Sequence, residues 1–292
     1  MLPKDTLKDK VAIITGGGTG LGKAMALEFA RLGAKIVVAS RKLESLQQTV
    51  SEIEKLGGRA LAVPTDVREP AQVENLVTVT KQRFGKIDIL VNNAAGNFIC
   101  RAEDLSVNGW RAVVGIVLDG TFYCSRAVGK EMIAQGTGGN ILNIIATYAW
   151  TGGPGTIHSA CAKAGVLAMT KTLAVEWASY NIRVNAIAPG PVDTEGAAKA
   201  LWPTPEAKKL VENTVPLGRF GQPIEIARAA AYLVSDYASF ITGATLVIDG
   251  GQWLGHGHYL RTSPLDHFPL TPLLSSPSEG RGDGGEGDWE RD

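Results

Sequence analysis

An α/β fold, a doubly wound sandwich built on a seven-stranded parallel sheet, is predicted by two features of this sequence. Seven short apolar runs rich in β-branched residues recur along the chain, and longer amphipathic stretches with helical spacing lie between them. Such alternation makes successive strands parallel with right-handed crossovers, so helices cover both faces of the sheet. Ligands of these sheets gather at the carboxyl ends of the strands.

In order, the runs are VAIIT from Val11, KIVVA from Lys35, ALAV from Ala60, IDILVN from Ile87, NILNII from Asn140, IRVNAIA from Ile182 and ATLVID from Ala244. Between them, GLGKAMALEFARLG from Gly20 and AQVENLVTVTKQRFG from Ala71 repeat apolar residues at helical spacing. Residues from about 193 to 215, DTEGAAKALWPTPEAKKLVENTV, read as a helical lid over a pocket. After Gly255 the composition turns to Pro, Gly, Ser and charge without periodicity. The expectation is one domain over residues 1–255 and a disordered tail over 256–292.

Hydrophobic residues make up 45% of the 292, enough to bury a full core. Lys+Arg and Asp+Glu both count 29, so no global field recruits nucleic acid or an acidic membrane surface. Cys100, Cys124 and Cys161 have no paired spacing that would suggest a disulfide framework or a metal site, which fits a reducing compartment. The start, MLPKDTLKDK, lacks the apolar stretch of a leader, and no run approaches the length that spans a bilayer. The final residues are not an SKL-type address, so a cytoplasmic protein is expected.

The first run leads straight into Thr15-Gly16-Gly17-Gly18-Thr19-Gly20-Leu21-Gly22 and then a helix. Glycines let the backbone turn tightly and approach a pyrophosphate, and a helix N-terminus offers free N–H groups with a positive dipole end. Strand, turn and helix together make the fold Rossmann-like. The second strand ends in Ser40-Arg41-Lys42, where a carboxylate would hold the ribose 2′-hydroxyl of NADH. A guanidinium at Arg41, helped by the Ser40 hydroxyl, instead suits a 2′-phosphate, so NADPH is the expected cofactor.

Four segments, TGGGTGLG, Asp66-Val67, Asn92-Asn93-Ala94 and Pro189-Gly190-Pro191-Val192, resemble the short-chain dehydrogenases/reductases over residues about 8 to 252. That resemblance implies adenine contact by Asp66, a place for Val67 and Asn93 among the cofactor-binding residues, scaffold packing by the Asn92-Asn93 pair, and nicotinamide-side contacts from Pro189 to Val192. Two departures stand out. Ser159 occupies the place, four residues before Lys163, where the family usually carries a catalytic Tyr, and Val117 stands where it usually carries an Asn.

A narrower resemblance shares those departures. GGGTGLGKAM, VVASRK, NNAAGNFI, IVLDGTF, a Tyr eleven residues before Ser159, and SACAKAG look like the 2,4-dienoyl-CoA reductases. It implies that Tyr148, Asn97, Ser159 and Lys163 are catalytic, and that Arg41, Arg68, Phe98 and Ser106 contact a CoA thioester. Lys199 stands beside Ala200, near which that subfamily places a substrate-binding Arg. A homotetramer and a 3-enoyl product are implied by likeness alone.

The chemistry is coherent with this. Hydride delivered to the far end of a conjugated dienoyl thioester leaves negative charge on the thioester oxygen, and a phenol with an amide could stabilise it. Lys163 follows Ser159 by one helical turn, so both can meet the nicotinamide ribose, and its charge is expected to lower the pKa of a nearby phenol. His158 is not assigned a role, having no evident partner. Two other readings remain: a carbonyl or 3-ketoacyl reductase, which would ordinarily need a Tyr at position 159, and a non-catalytic NADPH-binding protein.

Overall fold

In the computed structural model, which describes residues 2–254, all seven runs become strands of one sheet: β1 (Val11–Thr15), β2 (Lys35–Ser40), β3 (Arg59–Pro64), β4 (Ile89–Asn92), β5 (Gly139–Ile144), β6 (Ile182–Pro189) and β7 (Thr245–Ile248). Their order is β3-β2-β1-β4-β5-β6-β7, and every neighbouring pair is parallel. The chain winds outward from β1 to β3 and then back across to β4. That reversal between β1 and β4 is the switch point at which a doubly wound sheet opens a crevice. The tail expected over 256–292 lies outside the described residues.

Side chains on both strand faces are apolar because both faces are covered. Ile14 and Val38 point into one buried layer with Met25, Phe29 and Ile226, whereas Ile13 and Val37 point into the other with Leu76, Cys124 and Val128. The first layer is roofed by α1 (Gly20–Arg31), α2 (Leu43–Lys55) and α10 (Pro223–Val234), the second by α3 (Pro70–Phe84), α5 (Gly120–Gln135) and α7 (Ile157–Glu176). Complete burial of a side chain such as Phe29 contributes about 1.5–3 kcal/mol. Helix α3 starts with Pro70 in its first turn and stops at Gly85, whose φ of 83° suits glycine, so both its boundaries are chemical.

One expectation needs correcting. Helix α4 (Val107–Val114), a five-residue π segment (Gly115–Asp119) and α5 run as one 29-residue helix with mean hydropathy 1.2 in its most apolar window. Its length and composition would allow a membrane crossing, although no apolar run in the sequence suggested one. About half of that window is buried in the fold: Val113 and Val117 pack beneath α7, and Cys124, Val128 and Met132 pack on the sheet.

The expected lid is helical but not continuous. It divides into α8 (Glu195–Leu201) and α9 (Pro205–Asn213), because Pro203 and Pro205 cannot extend a helix through the Trp202–Thr204 link.

Candidate active site

The glycine turn after β1 holds its shape through backbone dihedrals and one asparagine. Gly16 and Gly20 have φ of +65° and +52°, a region that disfavours side chains. The Asn93 amide donates to the Thr15 carbonyl at 2.9 Å, and the Thr15 hydroxyl accepts from the Asn93 and Ala94 N–H groups at 3.0 Å. Helix α1 then begins with Thr19 extended, no side-chain cap and no acidic residue in its first turn. Its free N–H groups and dipole fit the pyrophosphate of a dinucleotide.

Packing at this turn is close. A Cβ on Gly22 would lie 2.2 Å from the Gly16 carbonyl oxygen and 2.6 Å from the Asn93 amide nitrogen. Gly22→Ala is therefore expected to lose about 1–3 kcal/mol of stability, the usual cost of overpacking, and to weaken dinucleotide binding as the turn shifts. Thermal melting together with a cofactor titration reads both; an unchanged melt and affinity would show the turn to be compliant.

A cavity of about 440 Å³ opens beside this turn, lined among others by Gly18, Thr19, Ser40, Arg41, Asp66 and Val67. Arg41 is exposed, and among the described residues no ion pair ties its guanidinium. Arg68 behaves differently: its Nε and Nη groups grip the Asp66 carboxylate at 2.5–3.1 Å. That hydrogen bonding holds the Asp66 pKa below its ordinary value and raises that of Arg68. The two residues expected to serve cofactor and thioester separately thus pair with each other.

Across Ala95, which borders both, a second cavity of about 370 Å³ lies over the ends of β5 and β6 and beneath the lid. Its walls include Tyr148, Lys163 and the Pro189–Val192 segment. Tyr148 heads the short helix α6 (Tyr148–Thr151) and turns its hydroxyl onto Ser159, with 3.0 Å between the oxygens. The Asn97 amide donates to the same phenolic oxygen at 3.4 Å. The Asn97 carbonyl oxygen meanwhile accepts from the Phe98 N–H at 2.9 Å, which leaves its NH₂ facing Tyr148. Three residues far apart in the chain therefore meet at one hydroxyl.

Lys163 sits one turn beyond Ser159 on α7, is 6% exposed, and donates from Nζ to the Ile144 carbonyl. Burial lowers its pKa to about 8. The phenol moves the other way: burial raises the Tyr148 pKa, and the Ser159 and Asn97 hydrogen bonds offset only part of this. The expectation that Lys163 draws the phenol down is corrected accordingly. A raised pKa keeps Tyr148 protonated, the state in which it donates.

A family model described as enoyl-(acyl carrier protein) reductase matches residues 16–252. A Bacillus subtilis protein named probable 2,4-dienoyl-CoA reductase, (2E)-enoyl-CoA-producing, is 51% identical over 85% of this chain and 98% of its own length. A crystal structure of a short chain dehydrogenase from Bacillus anthracis is 53% identical, with a TM-score of 0.78 over 88% of this chain and 100% of the other. The chain belongs to the short-chain dehydrogenase/reductase family. A putative 2-deoxy-d-gluconate 3-dehydrogenase from Agrobacterium tumefaciens, solved with bound NADP, matches at 33% identity and a TM-score of 0.79, over 87% of this chain and 100% of its own.

As a short-chain dehydrogenase/reductase the chain is an oxidoreductase, and its two cavities adjoin at Ala95. Val117, at the position of the usual Asn, is 1% exposed in an apolar cluster and brings no polar group to the site. Asn92 is structural, donating from its amide to Ser125 and Asn143 at 2.9 Å each. Phe98 stacks on His158 with 4.4 Å between ring centroids. His158 is fully buried, and burial lowers its pKa. Ser106 caps α4, its oxygen accepting from the Gly109 N–H at 3.0 Å, and Lys199 is exposed on α8.

Gly153 and Trp202 escaped the reading of the sequence. A Cβ on Gly153 would meet the Thr156 hydroxyl at 2.6 Å and the Tyr148 Cβ at 3.2 Å, so this glycine lets Tyr148 swing toward Ser159. The signal was present in TGGPGT, a cluster of turn-forming residues between the two.

Proposed function

We propose that this chain reduces 2,4-dienoyl-CoA thioesters to enoyl-CoA with NADPH, serving the oxidation of polyunsaturated acyl chains. The observation that carries the reading is the Tyr148 hydroxyl, brought by α6 to within 3.0 Å of Ser159 and 3.4 Å of the Asn97 amide. The printed name of the Bacillus subtilis relative supports the same substrate class.

NADPH, when bound, would supply the hydride, and a proton taken up from solvent would complete the reduction. Tyr148 and Asn97 donate hydrogen bonds to the thioester oxygen as charge collects there, and their value lies in being held in place beforehand. Ser159 orients the phenol through its shared hydrogen bond, while Lys163 binds the ribose hydroxyls next to them. Thr19, Leu21, Asp66, Val67 and Asn93 line the path of the dinucleotide, and Gly16, Gly18 and Gly20 let it approach the backbone. Pro189, Gly190, Pro191 and Val192 border the nicotinamide end. Arg41, Arg68, Phe98 and Ser106 are assigned to the CoA thioester in this reading, Arg68 while it pairs with Asp66.

NADPH preference rests on Arg41, supported by Ser40, with no carboxylate at the end of β2. Charge-assisted hydrogen bonds to a 2′-phosphate contribute about 1.5–3 kcal/mol. Arg41→Ala is expected to raise the KM for NADPH by roughly ten- to a hundredfold and to leave that for NADH nearly unchanged, as initial rates with each cofactor would show. Equal losses with both would place Arg41 away from the 2′ position.

A homotetramer in the cytoplasm belongs to the same proposal. Val175, Tyr237 and Phe240 present large apolar groups to solvent, as a self-associating surface would, and all three cysteines are free. The experiment for the function is NADPH oxidation on 2,4-hexadienoyl-CoA, a 3-ketoacyl-CoA and a simple 2-enoyl-CoA in parallel, with product double-bond position assigned. Turnover confined to the dienoyl thioester supports the reading. Preference for the ketone makes the chain a carbonyl reductase, and silence on all three makes it a dinucleotide-binding protein.

A further inference from the structure

Between Val192 and Val215 the chain passes through both lid helices with one buried residue, Trp202. Neither α8 nor α9 buries a side chain of its own, and Leu210 is 70% exposed. The lid is therefore seated by this indole, which stacks edge-on against Phe220 with 5.1 Å between centroids and an interplanar angle of 61°. Its Nε1 is buried and has no hydrogen-bond partner among the described residues. The ring packs by shape against Phe220.

Trp202 also lines the reaction cavity. Ile144 and the Pro189–Val192 segment border that space from the strand ends, and Lys163 borders it from α7; Ala197, Leu201, Trp202 and Val211 border it from the lid. The volume of about 370 Å³ lies near the lower end of the roughly 300–1,000 Å³ typical of small-ligand sites, and the nicotinamide end of the cofactor must share it. Little length remains for an acyl tail beyond the reacting double bonds.

We propose that Trp202 is the end stop of the acyl pocket and sets the chain length the enzyme accepts. This rests on the reading that the cavity receives an acyl-CoA thioester. A bulky aromatic end wall favours short tails, and removing it opens apolar space toward Phe220. A smaller ring still fills part of that space and retains part of the effect.

The test compares kcat/KM for 2,4-hexadienoyl-CoA and 2,4-decadienoyl-CoA in the wild type, Trp202→Ala and Trp202→Phe. The wild type favours the shorter chain, Trp202→Ala shifts the ratio toward the longer one by about tenfold or more, and Trp202→Phe shifts it less in the same direction. Calorimetric binding of butanoyl-CoA and decanoyl-CoA in the presence of NADP⁺ gives the same ranking without turnover. A ratio unmoved in Trp202→Ala, including one in which both substrates fall equally because the lid unseats, overturns the end stop. Wild-type preference for the longer chain also overturns it. Binding that follows Trp202 without dienoyl turnover overturns the proposed reaction alone, and no binding of any acyl-CoA overturns both.

Discussion

Tyr148→Phe lowers kcat for 2,4-hexadienoyl-CoA by roughly a hundred- to a thousandfold and leaves NADPH affinity at the wild-type value. The size follows from removing one preorganised donor aimed at developing charge, about 3 kcal/mol on typical figures. Selectivity for kcat follows from geometry: the phenol bonds Ser159 and Asn97 and borders the reaction cavity, whereas the glycine turn and Arg41 lie in the neighbouring one. Burial raises the phenol pKa, so the lost group is a neutral donor. Stopped-flow turnover and a separate cofactor titration distinguish the two quantities. A matching loss of NADPH affinity would make Tyr148 part of the cofactor site.

Lys163→Met reduces kcat/KM for NADPH on the order of a hundredfold, through lost charge-assisted bonds to the ribose. The same change leaves the protein as stable as the wild type, or more so, because it removes a cation that burial disfavours. With a folded pKa of about 8, below its ordinary value of 10.5, Lys163 binds fewer protons in the folded than in the unfolded chain within that window. Its contribution therefore costs about 3 kcal/mol below pH 8, and the cost shrinks as pH rises toward 10.5. Activity runs oppositely: kcat/KM for NADPH falls as pH rises through about 8 and the cation is lost. Melting curves and pH–rate profiles of wild type and Lys163→Met read both; a flat wild-type profile would remove Lys163 from cofactor binding.

Seven strands, their order of appearance and the glycine turn were legible because buried parallel strands are continuous apolar runs and because a tight phosphate turn demands glycine. Helix α4 through α5 was not read as one piece, since Arg111, Asp119, Arg126 and the π segment interrupt its pattern while the backbone continues. The Tyr148–Ser159–Asn97 contact was legible only through resemblance. No local periodicity tells which way the TGGPGT link turns α6, and 51 residues separate Asn97 from Tyr148. The Asp66–Arg68 pair was hidden for a related reason: two residues apart after a strand, each had a plausible ligand of its own, and only the fold shows them facing each other. Trp202 read as one more apolar residue in an amphipathic lid; its isolation as the lid's single buried side chain is a property of the packing.

The most direct test of the central proposal is a single-turnover experiment, with protein in excess and NADPH bound, mixed with 2,4-hexadienoyl-CoA. This isolates the chemical step from product release. The proposal predicts one NADPH oxidised per dienoyl thioester consumed, at a rate that collapses in Tyr148→Phe while the bound cofactor stays in place. Consumption by Tyr148→Phe at the wild-type rate, or no consumption by the wild type, would contradict it.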